Sequence, residues 1–316
     1  MNKQTTTVDP LPATTGGFNR GDFMALTKMR LSILVVLTTL FGYWISDGTK
    51  HSWFILFHTL LGSTLAAFGA SIFNQLMEVE QDSKMKRTAL RPLPAGKISS
   101  AGAFILGIGF SAFGVLHIVH KVNLEAALLT ALTLVTYVFI YTPLKQRSSL
   151  NTVVGGISGA FPPLIGWAAA YGRPLTDSPS FRGDMFANTG AIYLFALLFF
   201  WQMPHVVAIN WMYRAEYEKG GFVMWSNHDE SGARSSRLCL LFSVLLAVLV
   251  MFLPLPNMRF PIIYAGLMLV TNCFLLRLAW KFIKDRQRVR ARNLFLFTLL
   301  YLPIAMLAAV FCWRYH

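Results

Sequence analysis

Acidic side chains are scarce in this chain. Its 14 Asp and Glu stand against 28 Lys and Arg, and charged residues of both signs make up only 13% of 316 residues. Soluble domains carry roughly 25% charged residues, so a water-soluble globule of this size is excluded. Cysteine is scarcer still. Cys239, Cys273 and Cys312 form no CxxC pair and no haem-attachment CxxCH, which excludes a disulfide scaffold, a zinc ribbon and covalent haem attachment. All three fall in or beside apolar runs and read as small apolar residues. A signal peptide is also lacking, because the first apolar run starts too late and is too long. No Arg-rich amphipathic presequence is present, so a bacterial plasma membrane is expected rather than an organelle.

What the chain has in abundance is hydrophobic length. Apolar side chains are 55% of the residues, in runs long enough to cross a bilayer as helices. Nine such runs are expected, at about 24–46, 53–77, 99–119, 124–141, 150–171, 189–209, 238–254, 260–280 and 293–313. The shortest, 238–254, stops at Pro254 and Pro256. Residues 1–22 are polar and are expected to be a disordered tail. Residues 23–316 are expected to form one all-α transmembrane domain around a central cavity. With the N-terminus cytoplasmic, 21 of the 28 Lys and Arg fall in cytoplasmic segments and 6 outside, with Arg277 within a span. This positive-inside bias recurs at every loop and supports nine spans, since losing one would invert every later loop. The same bias accounts for the net charge of +14, and no nucleic-acid-binding module is present. The basic run Lys281–Arg292, whose one acid is Asp285, reads as a membrane anchor suited to anionic lipid.

Chemistry concentrates in the first cytoplasmic loop. Asn74, Glu78 and Asp82 recur every fourth residue at the end of an apolar run, followed by Lys84, Lys86, Arg87 and Arg91. On a helix the first three share a face. Positive-inside bias requires no carboxylates. Hard oxygen donors suit Mg²⁺ together with phosphate oxygens, and the cations suit the phosphates. The pattern points to a metal-diphosphate site at a membrane surface. The second loop adds Lys145 and Arg147 after Tyr141-Thr-Pro143, and these read either as anchors or as phosphate ligands. The next span holds Gly155 and Gly159, a GxxxG spacing for close helix contact, and Pro162-Pro163, expected to kink it. The sixth span carries Gln202, His205 and Asn210, polar groups expected to face a cavity. It is followed by a second acidic-basic cluster from Arg214 through Glu216 and Tyr217 to Lys219. Two such clusters suggest one shared cavity. His58, His117 and His120 have no supporting neighbours and read as structural.

The run Asn74-Gln75…Glu78…Asp82-Ser83…Arg87-Thr88…Arg91-Pro92-Leu93 resembles the first signature of the UbiA-type intramembrane prenyltransferases. Tyr141–Lys145, Asn151-Thr152, Gly159–Pro163 with Gly166-Trp167, Trp201–His205 and Tyr213–Gly221 resemble further signatures of the haem-farnesylating branch, in order, from about 24 to 313. The resemblance implies nine helices around a lipid-accessible cavity. It also implies transfer of farnesyl from farnesyl diphosphate to the 2-vinyl group of haem b with addition of water, giving haem O, with Mg²⁺ as cofactor. Asn74, Glu78, Asp82 and His205 are then the catalytic candidates. Glu78, Asp82 and Glu216 are the metal candidates. Lys86, Arg87, Arg91, Lys145, Arg147 and Arg214 are the diphosphate ligands. Tyr141 or Trp201 is placed to steady a farnesyl cation. His205 is a candidate to ligate haem iron, position the porphyrin or carry a proton. The implied recipient of product is a terminal oxidase or the next haem-modifying enzyme. The chain has Glu78 and Glu216 where many members have Asp, Ala215 where an acid is common, and Val206 where an aromatic is usual. The alternatives are a prenyltransferase acting on a quinone or chlorophyll precursor, a secondary transporter, and a haem-binding factor without chemistry.

Overall fold

Helices account for all the regular structure of any length among the described residues, 18–46, 52–171 and 188–314 of a computed structural model. Eight helices are long and apolar enough to cross a membrane. They become nine when the bent pair α1 (Arg20–Leu26) and α2 (Met29–Ile45), 53° apart, is taken as one span. The others are α3 (Trp53–Met77), α5 (Ser100–Lys121), α6 (Leu124–Val135) continued through a π-turn and α7 (Thr142–Leu144), α8 (Asn151–Tyr171), α9 (Thr189–Met212), α11 (Ala233–Phe252), α12 (Pro261–Lys284) and α13 (Arg288–Cys312). Short helices α4 (Val79–Lys84) and α10 (Arg214–Lys219) lie in the loops. Each expected span has its helix.

Several boundaries differ from expectation: α12 runs on to Lys284 and α13 starts at Arg288, so much of the basic run Lys281–Arg292 is helical. Helix begins at Arg20, inside the tail expected to be disordered, because Asn19 and Asp22 form a reciprocal capping box that satisfies orphan amides. Residues 1–17 of that tail lie outside the described residues. The span expected at 238–254 starts at Ala233 and reaches Phe252. Asp229 accepts from the Ser235 amide at 2.7 Å, so a carboxylate caps the first turn and carries Arg234 and Arg237 into the helix.

Helix α8 is the most buried span. It packs on α2, α6 and α9, while α13 packs on α9 and α12 and also reaches α2, closing the ring. Backbones approach closest where side chains vanish. A Cβ on Gly166 would lie 1.8 Å from the Thr39 carbonyl oxygen, and one on Gly42 would lie 1.8 Å from that of Pro163. The expected GxxxG contact is therefore made by other residues. Gly155 instead faces the Tyr141 ring and Gly159 the Gln202 amide, and α8 runs unbroken through Pro162 and Pro163. Gly166→Ala is expected to cost about 1–3 kcal/mol, because rigid backbone on α2 must move. Gly109→Ala, which meets nothing within 4 Å, is expected to stay within about 0.5 kcal/mol. Thermal unfolding of the two variants in one detergent compares them directly.

Candidate active site

The acids and cations picked out in the sequence meet at one end of the bundle, where α3, the π-turn of the fourth span and the bend before α2 converge. The single helical face expected for Asn74, Glu78 and Asp82 is interrupted. Helix α3 ends at Met77, and the Glu78 amide bonds back to Gln75 O at 3.3 Å, a tightened last turn. Helix α4 then restarts, with the Asp82 amide on Glu78 O at 2.7 Å. All three side chains are nonetheless buried, at 0%, 3% and 1% exposure.

Each has a basic partner. Glu78 Oε1 accepts from Lys145 Nζ at 2.7 Å. Asp82 Oδ2 accepts from the Arg91 guanidinium at 2.6 Å. Asn74 Oδ1 accepts from Lys28 Nζ, and its amide nitrogen donates to Thr142 Oγ1 at 3.2 Å. Lys28 also lies within electrostatic range of Arg91, Lys145, Glu78 and Asp82. Three basic side chains, Lys28, Lys145 and Arg91, thus surround two carboxylates, a set suited to a polyanion. Burial works against the charge on Lys145, but the adjacent Glu78 carboxylate and its hydrogen bond outweigh it and push the ammonium pKa well up.

Local sequence explains the placement. Pro143 has no amide hydrogen and crowds the carbonyl four residues before it. The chain answers with a π-turn over Thr136–Tyr141, a feature frequent at functional sites. That turn presents Thr142 to Asn74 and places Lys145 Nζ 4.8 Å over the Tyr141 ring. Lys28 takes a left-handed φ of 47° at the bend between α1 and α2, a strained conformation of the kind found at ligand sites. Carbonyls exposed by that bend, Ala25 and Leu26, accept from Gln75 Nε2 at 2.9 and 2.7 Å.

The second acidic-basic cluster joins the first. The Arg87 guanidinium lies 5.6 Å from the Tyr213 ring and 5.8 Å from the Tyr217 ring, and donates to Tyr217 Oη at 3.3 Å. Met85, Phe222 and Met224 pack together beneath, and the Val223 amide donates to Lys145 O at 2.7 Å. Three loops are therefore fastened into one cap, as the paired clusters suggested.

Other expected residues lie elsewhere. Lys86 and Arg147 are exposed. Arg214 lies over Trp211 at 4.9 Å and donates to its carbonyl. His205 sits on the α9–α13 seam, with Nδ1 2.8 Å from Thr298 Oγ1 and its ring between Trp201 and Phe295. Trp201 donates to Thr298 O at 2.6 Å, so it is part of that seam, whereas Tyr141 stands at the charged cluster. Gln202 and Asn210 are held by Gly156 O and by the Met224 sulfur. At the opposite end, His58 and His117 pair at 2.9 Å, giving them the partners the sequence did not reveal. Sequence reasoning missed Lys28, Thr142 and Tyr213 as site residues. For Lys28 a signal existed, since a lysine inside an apolar run is a functional hint.

Among the described residues, no three His, Cys, Asp or Glu converge as a metal site, so Glu216 does not complete a triad with Glu78 and Asp82. The donors still fit Mg²⁺. Only one oxygen of each carboxylate is bonded, and Glu216 Oε2 is buried with no partner. A hard ion held by one or two carboxylates and completed by phosphate oxygens matches that set.

The arrangement defines a multi-pass helical membrane protein with buried carboxylates paired to basic side chains under its loop cap. Its fold matches digeranylgeranylglyceryl phosphate synthase at a TM-score of 0.70, with 15% identity over 92% of this chain and 97% of that one. It also matches a UbiA homolog from Archaeoglobus fulgidus, solved bound to GPP and Mg²⁺, at 0.62, with 12% identity over 91% and 99%. The chain belongs to the UbiA prenyltransferase family, whose model matches residues 35–311. It is 38% identical to a protoheme IX farnesyltransferase of Opitutus terrae over 95% of this chain and 96% of that protein. It is 37% identical to the mitochondrial protoheme IX farnesyltransferase of Arabidopsis thaliana over 90% and 63%.

Proposed function

We propose that this chain is a protohaem IX farnesyltransferase, joining farnesyl from farnesyl diphosphate to the 2-vinyl group of haem b with addition of water, to give haem O. The observation that carries this reading is the buried interlock of Glu78 with Lys145, Asp82 with Arg91 and Asn74 with Lys28, in a family member whose near relatives bear that name. The cap is assigned to the cytoplasmic side of a bacterial inner membrane, in accord with the positive-inside count. Residues 23–316 act as one transmembrane domain. A terminal oxidase or the next haem-modifying enzyme receives the product.

Diphosphate competes for Lys145, Arg91 and Lys28, drawing them from their present partners. The carboxylates of Glu78 and Asp82 are then the groups that would hold Mg²⁺. When bound, that ion supplies Lewis-acid neutralisation of the leaving diphosphate. Preorganised cations and Arg87 add to this stabilisation as charge builds on the leaving oxygen. The allylic C–O bond breaks with its electron pair going to diphosphate. The terminal vinyl carbon supplies the pair for the new C–C bond. Positive charge passes to the adjacent carbon, where water adds and releases one proton. The Tyr141 ring, already facing the Lys145 ammonium, offers a π-face beside the departing group. A quinone acceptor has no specific observation in its favour.

The test is mass analysis of haem extracted after incubating protein-bearing membranes with haem b, farnesyl diphosphate and Mg²⁺. A haem heavier by farnesyl plus water, and its loss on adding EDTA, are expected. Unchanged haem from folded protein refutes the reading.

A further inference from the structure

The seam between α9 and α13 opens into a groove of about 510 Å³. It is lined by the apolar side chains of Ile209, Met212, Phe295 and Leu296, by Tyr213, and by Arg288 and Arg292. We infer that this groove holds the haem acceptor, with Arg288 and Arg292 receiving the two porphyrin carboxylates; this rests on the farnesyltransferase reading above.

Charge is the first argument. In the basic run before α13, the one acid, Asp285, is taken by Arg290 at 2.9 Å. Arg288 and Arg292 have no carboxylate partner among the described residues, and both lie in the first turns of α13. That end of a helix carries positive partial charge, so two cations there repel it until an anion arrives. Arg288 and Arg292 are one turn apart, and guanidinium forks match carboxylates.

Shape and position are the second. The lining is mostly apolar and partly aromatic. The Phe295 ring lies 4.6 Å from the ring of His205, whose Nδ1 is 2.8 Å from Thr298 Oγ1. The Tyr213 ring has Arg288 at 5.3 Å and Arg87 at 5.6 Å. One wall is thus common to the groove and the diphosphate cap, which sets an acceptor beside the donor. A membrane anchor would explain the arginines alone. It would not explain a mostly apolar groove that shares Tyr213 with the cap.

The experiment is titration of wild-type protein and the Arg288→Gln/Arg292→Gln variant in phosphatidylcholine nanodiscs. The probes are haem b and its dimethyl ester, followed by the Soret band, and farnesyl diphosphate binding is measured alongside. Haem b is expected to bind the variant 10- to 100-fold more weakly. The ester should bind both proteins alike, and farnesyl diphosphate affinity should be unchanged. Equal haem affinity in the two proteins overturns the inference, as does an equal loss for haem and ester. Weakening that appears only when phosphatidylglycerol is included assigns the arginines to lipid and also overturns it. If the double variant does not fold, the single Arg292→Gln variant decides by the same ratio of haem to ester. Wild-type protein that neither binds haem nor forms product refutes the parent reading. Wild-type turnover with an unchanged haem KM in the variant refutes only this one.

Discussion

Asp82→Asn is expected to lower kcat/KM for farnesyl transfer by about 100-fold or more, equivalent to roughly 2.7 kcal/mol of lost transition-state stabilisation. Asp82 is 1% exposed and bonded to Arg91 at 2.6 Å. The amide preserves shape and one hydrogen bond but cannot neutralise Arg91 or serve as an anionic ligand. Haem O formation by mass, with haem b binding followed in parallel, checks this. Lost turnover with retained haem binding is the expected pair of results. Full turnover in the variant would remove Asp82 from the chemistry, and lost haem binding would mean that the variant had disturbed the whole bundle. A pure haem binder would show no difference between Asp and Asn.

Lys145→Met carries the largest expected effect on stability. It leaves the Glu78 carboxylate, 3% exposed, without its partner, and breaking a buried pair from one side typically costs about 3–5 kcal/mol. The double variant Lys145→Met/Glu78→Gln removes both charges and is expected to recover most of that loss while remaining inactive. Thermal unfolding of the two variants and wild type in one detergent measures the difference. A double variant no more stable than the single would show that packing, not the unpaired charge, sets the cost. The pH dependence follows in sign. The Lys145 ammonium is pushed up by Glu78 once burial is overcome. Its contribution is therefore fully present below the ordinary lysine value of about 10.4 and fades only as pH climbs through the higher folded value. The Lys145 ammonium should accordingly contribute no step of its own to the unfolding temperature between pH 6 and about pH 9.

Much of the site was readable before the fold was known, for reasons that individual residues make clear. Asn74, Glu78 and Asp82 are conspicuous because acids and amides at the end of an apolar run serve no topological need. They are all buried together. Lys145 is credible because it follows a span closely and Arg91 because it follows the acids, and each meets a carboxylate. Lys86, Arg147 and Arg214 looked equally credible and do not join the cluster. Long cationic side chains can swing to either side of a loop, so spacing along the chain does not say which way they turn. His205 was noticed as a polar group within a span, yet its neighbours Thr298 and Phe295 lie some 90 residues away in sequence, where no local pattern could announce them. The GxxxG spacing at Gly155 and Gly159 misled because it describes a surface able to accept a backbone, not the helix that arrives there. Gly42 and Gly166 take that role.

The sequence alone determined the membrane class, the number of spans, the charge asymmetry of the loops and the inventory of acids, amides and cations. These depend on local quantities: hydrophobic run length, helical periodicity and the cost of exposing backbone to lipid. Tertiary structure decided which cation meets which carboxylate, that Lys28 reaches Asn74, that the helix breaks at Glu78, and that the Tyr213 ring lies between Arg87 and Arg288. Those outcomes depend on close packing between helices distant in the chain. There a glycine, a π-turn or a bend of 53° moves a side chain by ångströms, and electrostatic and hydrogen-bond energies change most steeply over such distances.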